Sequence, residues 1–278
     1  MAAGLLLMAA TGAKAQLRVE FCNEAADTAA LTQMLVEVES GDAQGQALVA
    51  EFGRRLLDRP YRAGTLEGEP ETLRVCTEAF DCTTLVETAL AAAITVDSRR
   101  SSWRDFVYNL RQLRYRGGEI NGYGSRLHYV SDWITDNSHR GNLQEVTDRI
   151  GVQPNYAIKT LDFMSQNRDK YPAMKEDAAY EAIKNSEIGY RSHRFPYLKP
   201  QNLKHAKLRE GDVVAFTSTV KGLDVSHMGI IVMLEGGKPG LLHASSAAGR
   251  VVIDKLSLEE YLKRNSRTMT GVRVFRLR

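Results

Sequence analysis

The chain has 278 residues, 43% hydrophobic and 26% charged, and carries a formal net charge of +3. That length buries a full core and suits one or two domains. The charge is too weak and too scattered to argue for a nucleic-acid partner, and no low-complexity tract or repeat interrupts a globular composition.

The first stretch is a leader by pattern. Residues 4–10 form a short apolar run, followed by Ala13-Lys14-Ala15, a small-residue A-x-A cleavage pattern. A signal peptide over residues 1–15 and a periplasmic or secreted mature protein, residues 16–278, are therefore expected, although the usual basic n-region is missing. The run is too short to span a membrane, so no integral membrane segment is expected after cleavage. Of the three cysteines, Cys22 and Cys76 can pair and leave Cys82 free, or all three can be buried thiols.

Residues 24–37 and about 46–57 have helical spacing of apolar side chains and form a helical layer over about 24–58. Residues 61–65 and 72–75 look like short strands around the turn Glu67-Gly68-Glu69-Pro70. Phe80-Asp81-Cys82-Thr83-Thr84 then opens a mostly apolar run that ends at Val96. This places Cys82 at a helix N-terminus, where free N–H groups and the helix dipole favour a thiolate. A helix apolar on most faces is usually central and buried.

A long segment, about 100–207, separates this helix from the next β region. A helix capped by Ser101 or Ser102 runs to about Tyr115. Residues 117–129 are rich in glycine and aromatics and predict a surface loop. Its Tyr123, Ser125, Arg126, His128 and Tyr129 are candidate substrate contacts, and Trp133 on the next helix extends them. Residues 144–150 and 155–158 look like strands, 176–185 like a helix, and 191–207 like a long loop with His193 and His205 facing solvent. The C-terminal part is a strand meander: 212–216, 225–233, 240–244, 251–254 and 272–277, with a capped helix over 257–263. Helices first and a meander later predict an α+β fold.

A cysteine nucleophile needs a base and a group that orients the base. His227 and His243 lie on strands that should be neighbours, and residues on adjacent antiparallel strands can face each other. A lone histidine on an apolar strand is commonly a satisfied core residue; two on paired strands, with a cysteine at a helix start, weigh against that. Zinc ligation by Cys82, His227 and His243 competes for the same residues, but no CxxC or HExxH spacing occurs, so no metal or other cofactor is expected. Asp224 and Ser226, beside His227, complete the candidate substrate contacts, although an aspartate there commonly ends a turn.

FDCTTLV with VSHMGIIV resembles the papain-like, NlpC-type cell-wall hydrolase superfamily, and Leu208-Arg209-Glu210-Gly211-Asp212-Val213 is similar to its L-x-x-G-D-[LIV] strand start. GGEINGYGSRLHYVSDWITDN, GLDVSHMGI and LLHASS together resemble one subgroup, the N-acetylmuramoyl-L-alanine amidase-like family of Bacteroidetes, over most of the chain from about Tyr61. The resemblance implies a papain-like core: a nucleophile at the start of a central helix on an antiparallel sheet or half-barrel, with a helical N-terminal layer and an insertion over about 100–207. It implies Cys82 as nucleophile, His227 as base and His243 as orienting group, acting on the muramoyl–L-alanine amide of peptidoglycan or muropeptides. A γ-D-glutamyl stem-peptide endopeptidase with the same triad, an acyltransferase and a non-catalytic wall-binding module remain alternatives. A monomer is expected.

Overall fold

The computed structural model describes residues 18–278; the expected signal peptide lies outside them. Among the described residues, no helix is long and apolar enough to cross a membrane. The chain opens with β1 (Val19–Phe21), α1 (Glu24–Glu39), α2 (Ala47–Arg55), β2 (Leu73–Val75), α3 (Cys82–Asp97) and α4 (Trp103–Arg114). The insertion supplies α5 (Val130–His139), β3 (Leu143–Glu145), β4 (Asn155–Lys159), α6 (Phe163–Gln166), α7 (Asp177–Ile188), β5 (His193–Tyr197) and α8 (Pro200–Leu203). The C-terminal part consists of β6 (Val213–Ser218), β7 (Val225–Met233), β8 (Pro239–Ser245), β9 (Arg250–Ser257), α9 (Leu258–Arg264) and β10 (Met269–Leu277).

The main sheet has six strands in the order β3-β10-β6-β7-β8-β9, every pair antiparallel. Strand alternation gives it two apolar faces. Val213, Ala215, Met228, Ile230, Leu242 and Ala244 pack with α1 to α4 in one core. Val214, Phe216, Ile231, Leu241 and Val274 pack with Leu258 and Leu262 of α9 in a second. A third, smaller core within the insertion joins Tyr123, Tyr129, Leu161, Met174 and Ile183.

Helix α3 is the buried axis of the first core, as its composition predicts: Leu85, Val86, Ala89, Leu90 and Ala91 to Ala93 are all fully buried. Its alanines let α2 and α4 pack closely on either side. The segment leading into it is held from three directions. Cys22 and Cys76 form a disulfide, leaving Cys82 as the free cysteine. Fully buried Asp27 of α1 accepts hydrogen bonds from the Thr77 N–H (2.7 Å) and hydroxyl (2.6 Å). Phe80 exchanges backbone hydrogen bonds with Pro60 and Arg62, each 3.0 Å.

Several local expectations need correction. Residues 61–65 are not a strand: Pro60 and Tyr61 make only isolated bridges, because the chain turns at Gly64. The strand expected over 144–150 is confined to Leu143–Glu145, where it finds β10 as partner. Residues 191–207 are not one long loop. His193–Tyr197 pairs with β4 as a ribbon, and the His193 ring packs between Tyr190 and Phe195 rather than facing solvent. Long-range pairing supplies order there that local sequence does not signal.

Closing a 54-residue separation by a disulfide restricts the unfolded chain. Replacing Cys22 and Cys76 by serine should lower stability by about 2–4 kcal/mol in oxidising urea titrations.

Candidate active site

The start of α3 is defined by a capping box. The Asp81 carboxylate accepts from the Thr83 N–H (3.0 Å) and Thr84 N–H (2.8 Å), and the Thr84 hydroxyl oxygen accepts from the Asp81 N–H (2.9 Å). Cys82 is thereby locked as the first helical residue. The groups that favour its thiolate are the Met228 N–H, the Thr83 hydroxyl and its own N–H. Met228 lies just beyond the last ladder pair of β7 with β8, Ile230 with Leu242. His227 is the residue before it on the same strand.

His227 Nε2 meets His243 Nδ1 at 2.7 Å. The two rings are edge to face, and His227 stacks on Phe216. They are not directly opposite on their strands, as alternation alone would suggest. Continuing the β7–β8 register past Ile230 and Leu242 puts Gly229 opposite His243, with His227 one diagonal step away. A Cβ at Gly229 would lie 2.5 Å from the Leu241 Cδ1, 2.9 Å from the Leu242 carbonyl oxygen and 3.2 Å from the His243 Cβ. The glycine of S-H-M-G therefore leaves the space through which His243 leans onto His227.

Burial governs the resting charges. It pushes the Cys82 thiol up to about 11, with the Asp81 charge adding to the effect, against the donors just named. Burial lowers His227 to about 3, assisted by His243. His243 is also lowered by burial, with Asp254 opposing. A helix start alone favours a thiolate, but desolvation and Asp81 outweigh it here. Burial thus disfavours either charge on its own.

Three residues at this centre are absent from the sequence expectations. Tyr261 of α9 packs against both imidazoles, at 6.4 Å from His227 and 5.3 Å from His243. Tyr61 lies close enough for the Cys82 and Asp81 charges to add to the burial that raises its phenol. Asp254 of β9 approaches His243 Nε2 at 3.7 Å. None belongs to a sequence motif; only strand pairing and helix docking bring them in.

A cavity of about 220 Å³ opens beside the cap, lined by Glu67, Asp81, Thr83, Arg114, Arg126 and His128 among others. It brings two of the expected substrate contacts, Arg126 and His128, to the start of α3. Arg126 is buried rather than displayed: it pairs with Glu67 at 2.8 Å, approaches Glu71 at 3.5 Å and lies over the Tyr123 ring. His128 Nε2 donates to the Tyr123 carbonyl, 2.9 Å away, and burial lowers its pKa to about 3. The other expected contacts are placed differently. Tyr129 is buried, donating to Glu187 (2.7 Å) and accepting from the Met164 N–H (2.8 Å). Trp133 is buried against Phe275, and the Ser125 hydroxyl closes its own turn on Gly122. Asp224 is buried and accepts from the Ser131 N–H at 2.6 Å, tying β7 to the start of α5. These four hold the insertion together in this conformation. Ser226 is exposed next to His227. Among the described residues, no group of three or more metal-binding side chains is assembled.

Fold and site together define a mixed α+β protein with a capped helix-start cysteine and a histidine pair on an antiparallel sheet. Residues 51–270 match the AmiA-like family, described as N-acetylmuramoyl-L-alanine amidase-like, and the chain belongs to that family. It is similar to a solved N-acetylmuramoyl-L-alanine amidase from Bacteroides uniformis, with 36% identity and a TM-score of 0.79, covering 85% of this chain and 100% of that one. A Bacteroides fragilis structure named a "putative xylanase" has 37% identity and a TM-score of 0.76, covering 82% and 100%. A Legionella pneumophila protein of the DUF1460 family shares the fold at 21% identity and a TM-score of 0.70, covering 91% and 95%. No curated protein matches the chain.

Gly229→Ala should displace His243 or its strand, lowering stability by about 1–3 kcal/mol. It should also slow alkylation of Cys82 by iodoacetamide; unchanged stability and reactivity would show that the space is not needed. A second expectation concerns acid. His227 stays neutral down to about pH 3, whereas an unfolded histidine takes its proton at 6.5. Between those values the unfolded state binds more protons, so this group's contribution to stability falls as the pH drops through that window. In urea titrations at about pH 7 and about pH 4.5, His227→Gln should lose less stability on acidification than the parent.

Proposed function

We propose that the protein hydrolyses the amide between the lactyl group of N-acetylmuramic acid and L-alanine in peptidoglycan or muropeptides, with Cys82 as nucleophile. The observation that carries this is Cys82 as the first residue of a capped helix that packs on the strands holding the 2.7 Å His227–His243 pair. The family and the Bacteroides uniformis neighbour supply the bond. We read the core as papain-like in the same sense: nucleophile on the helix, base on the sheet.

In this mechanism Cys82 passes its proton to His227 as sulfur attacks the carbonyl carbon. The Thr83 and Thr84 N–H groups are taken by Asp81, so the Cys82 N–H is the donor of the helix start available to the oxyanion. The C–N bond breaks as His227 protonates the leaving amine, leaving a thioester. His227 then accepts a proton from water, which attacks the thioester, releases the muramoyl carboxylate and returns the proton to sulfur. His243 holds the His227 ring throughout. The cavity beside the cap, with Arg126 and His128, is the proposed contact for the peptide, and exposed Ser226 for the group nearest the scissile bond. The wall substrate accords with a periplasmic or secreted location.

The xylanase name of one neighbour points to different chemistry. Glycoside hydrolysis generally uses two carboxyl groups about 5–9.5 Å apart across the bond. Here the reactive groups at the helix start are a thiol and two imidazoles, which suit acyl transfer. Cleavage within the stem peptide by the same residues is the second reading; Cys and His chemistry serves either amide, and product masses separate them.

Cys82→Ala should abolish release of peptide with a free L-alanine amine from a defined muropeptide while the circular dichroism spectrum is retained. His227→Ala should lower kcat about 10²–10⁴-fold. Full turnover by Cys82→Ala would defeat the mechanism, and products cut beyond D-glutamate would replace the amidase by the endopeptidase.

A further inference from the structure

We infer that Asp254 is a positioning residue for this site: its carboxylate selects the His243 tautomer that leaves His227 able to take the Cys82 proton. The inference rests on the cysteine mechanism proposed above, but not on which amide is cut.

The 2.7 Å contact between His227 Nε2 and His243 Nδ1 holds one hydrogen between two nitrogens. If that hydrogen belongs to His243, neutral His227 must carry its own hydrogen on Nδ1. No ring lone pair then remains for the thiol proton. If it belongs to His227 Nε2, Nδ1 is bare and His227 is a base. The second arrangement requires neutral His243 to carry its hydrogen on Nε2.

The surroundings of His243 Nε2 decide between the two. The ring is 2% exposed, and Nε2 is buried without a hydrogen-bond partner. The ionic group it faces is Asp254 Oδ2 at 3.7 Å. A carboxylate favours N–H on the nitrogen facing it and disfavours a lone pair there, so Asp254 selects the productive tautomer. The same charge offsets the imidazolium that forms when His227 is protonated. At 3.7 Å the contact is longer than a hydrogen bond in the resting state. It can shorten as charge develops on the rings.

Asp254 is itself held in place. Its Oδ1 accepts from the Leu256 N–H at 2.8 Å, which leaves Oδ2 directed at His243. Among the described residues it has no ion pair with lysine or arginine that would neutralise it; His243 is its ionic partner. The titratable and charged groups around the histidine pair are Cys82 and Asp81 at the start of α3, Tyr61 before it, Tyr261 of α9 and Asp254 of β9. Asp81 is engaged by the cap, and both phenols are raised by burial, Tyr261 to about 12, so they remain neutral. Asp254 is thus the carboxylate left to act on His243.

The test uses the intact protein, in which Cys82 is the free thiol and alkylation is localised by mass spectrometry. Asp254→Asn keeps an oxygen for the Leu256 N–H but can present an amide N–H to His243 Nε2, which selects the wrong tautomer. The iodoacetamide rate at Cys82 should fall about 10- to 100-fold, with melting temperature nearly unchanged. Without the carboxylate the histidine pair protonates less readily, so the acid limb of the pH–rate profile should move down by about one unit. Asp254→Glu should recover part of both. On a defined muropeptide kcat should fall with KM little changed. Profiles of Asp254→Asn that superimpose on the parent, or a fall with an unshifted limb that Asp254→Glu does not restore, would overturn the inference. Altered alkylation together with no amide cleavage by the parent protein would leave the inference standing and defeat the amidase proposal instead.

Discussion

The site depends on the capping box at the start of α3. A helix beginning at Cys82 needs partners for its first N–H groups, and Asp81 supplies them from its own side chain. This engages the Thr83 and Thr84 N–H groups in the cap and leaves the Cys82 N–H outside it. Asp81 also places a negative charge beside the sulfur, one reason the resting thiol keeps its proton. One residue therefore fixes the geometry of the cysteine and helps hold it in reserve.

The histidine pair follows the same logic on the sheet. β6, β7, β8 and β9 bring Phe216, His227, His243 and Asp254 to one region, and α9 covers it with Tyr261. A β-sheet places side chains at fixed intervals, so a diagonal contact between histidines needs room between them. Gly229 provides that room by lacking a side chain. Burial then makes neutrality the resting state of thiol and imidazole alike.

The insertion contributes through ties as much as through surfaces. Fully buried Arg273 binds both oxygens of Glu145 at 2.9 Å and the Ser131 hydroxyl at 2.7 Å, while Asp224 takes the Ser131 N–H. These bonds fasten α5 to β10 and to the strand of His227. Removing one partner from such a buried network leaves another uncompensated, which is why the network acts as a unit. The aromatic loop of residues 117–129 belongs largely to this framework, and its Arg126, Leu127 and His128 line the cavity beside the cap.

Much of the outline was legible from residues alone because it rests on local rules. Helical spacing marked α1 to α4 and α7, alternation marked β6 to β10, and turn chemistry before an apolar run put Cys82 at a helix start. The histidine strands were legible because apolar alternation there is strong. The β4–β5 ribbon was not, because its order comes from pairing of short strands far apart in sequence. Nor was the burial of Tyr129, Trp133 and Asp224, since aromatic and acidic residues suit a surface or a satisfied interior equally well.

By itself, then, the sequence determined an α+β chain with a helix-start cysteine and two strand histidines, since helix caps and strand periodicity act over a few residues. Tertiary structure decided the charges, the cavity and the partners. Desolvation of Cys82 and His227 depends on everything packed around them. The 2.7 Å histidine contact and the nearby Asp254 depend on strand register. Register and burial are properties of pairing across the whole sheet, and no short stretch of chain contains them.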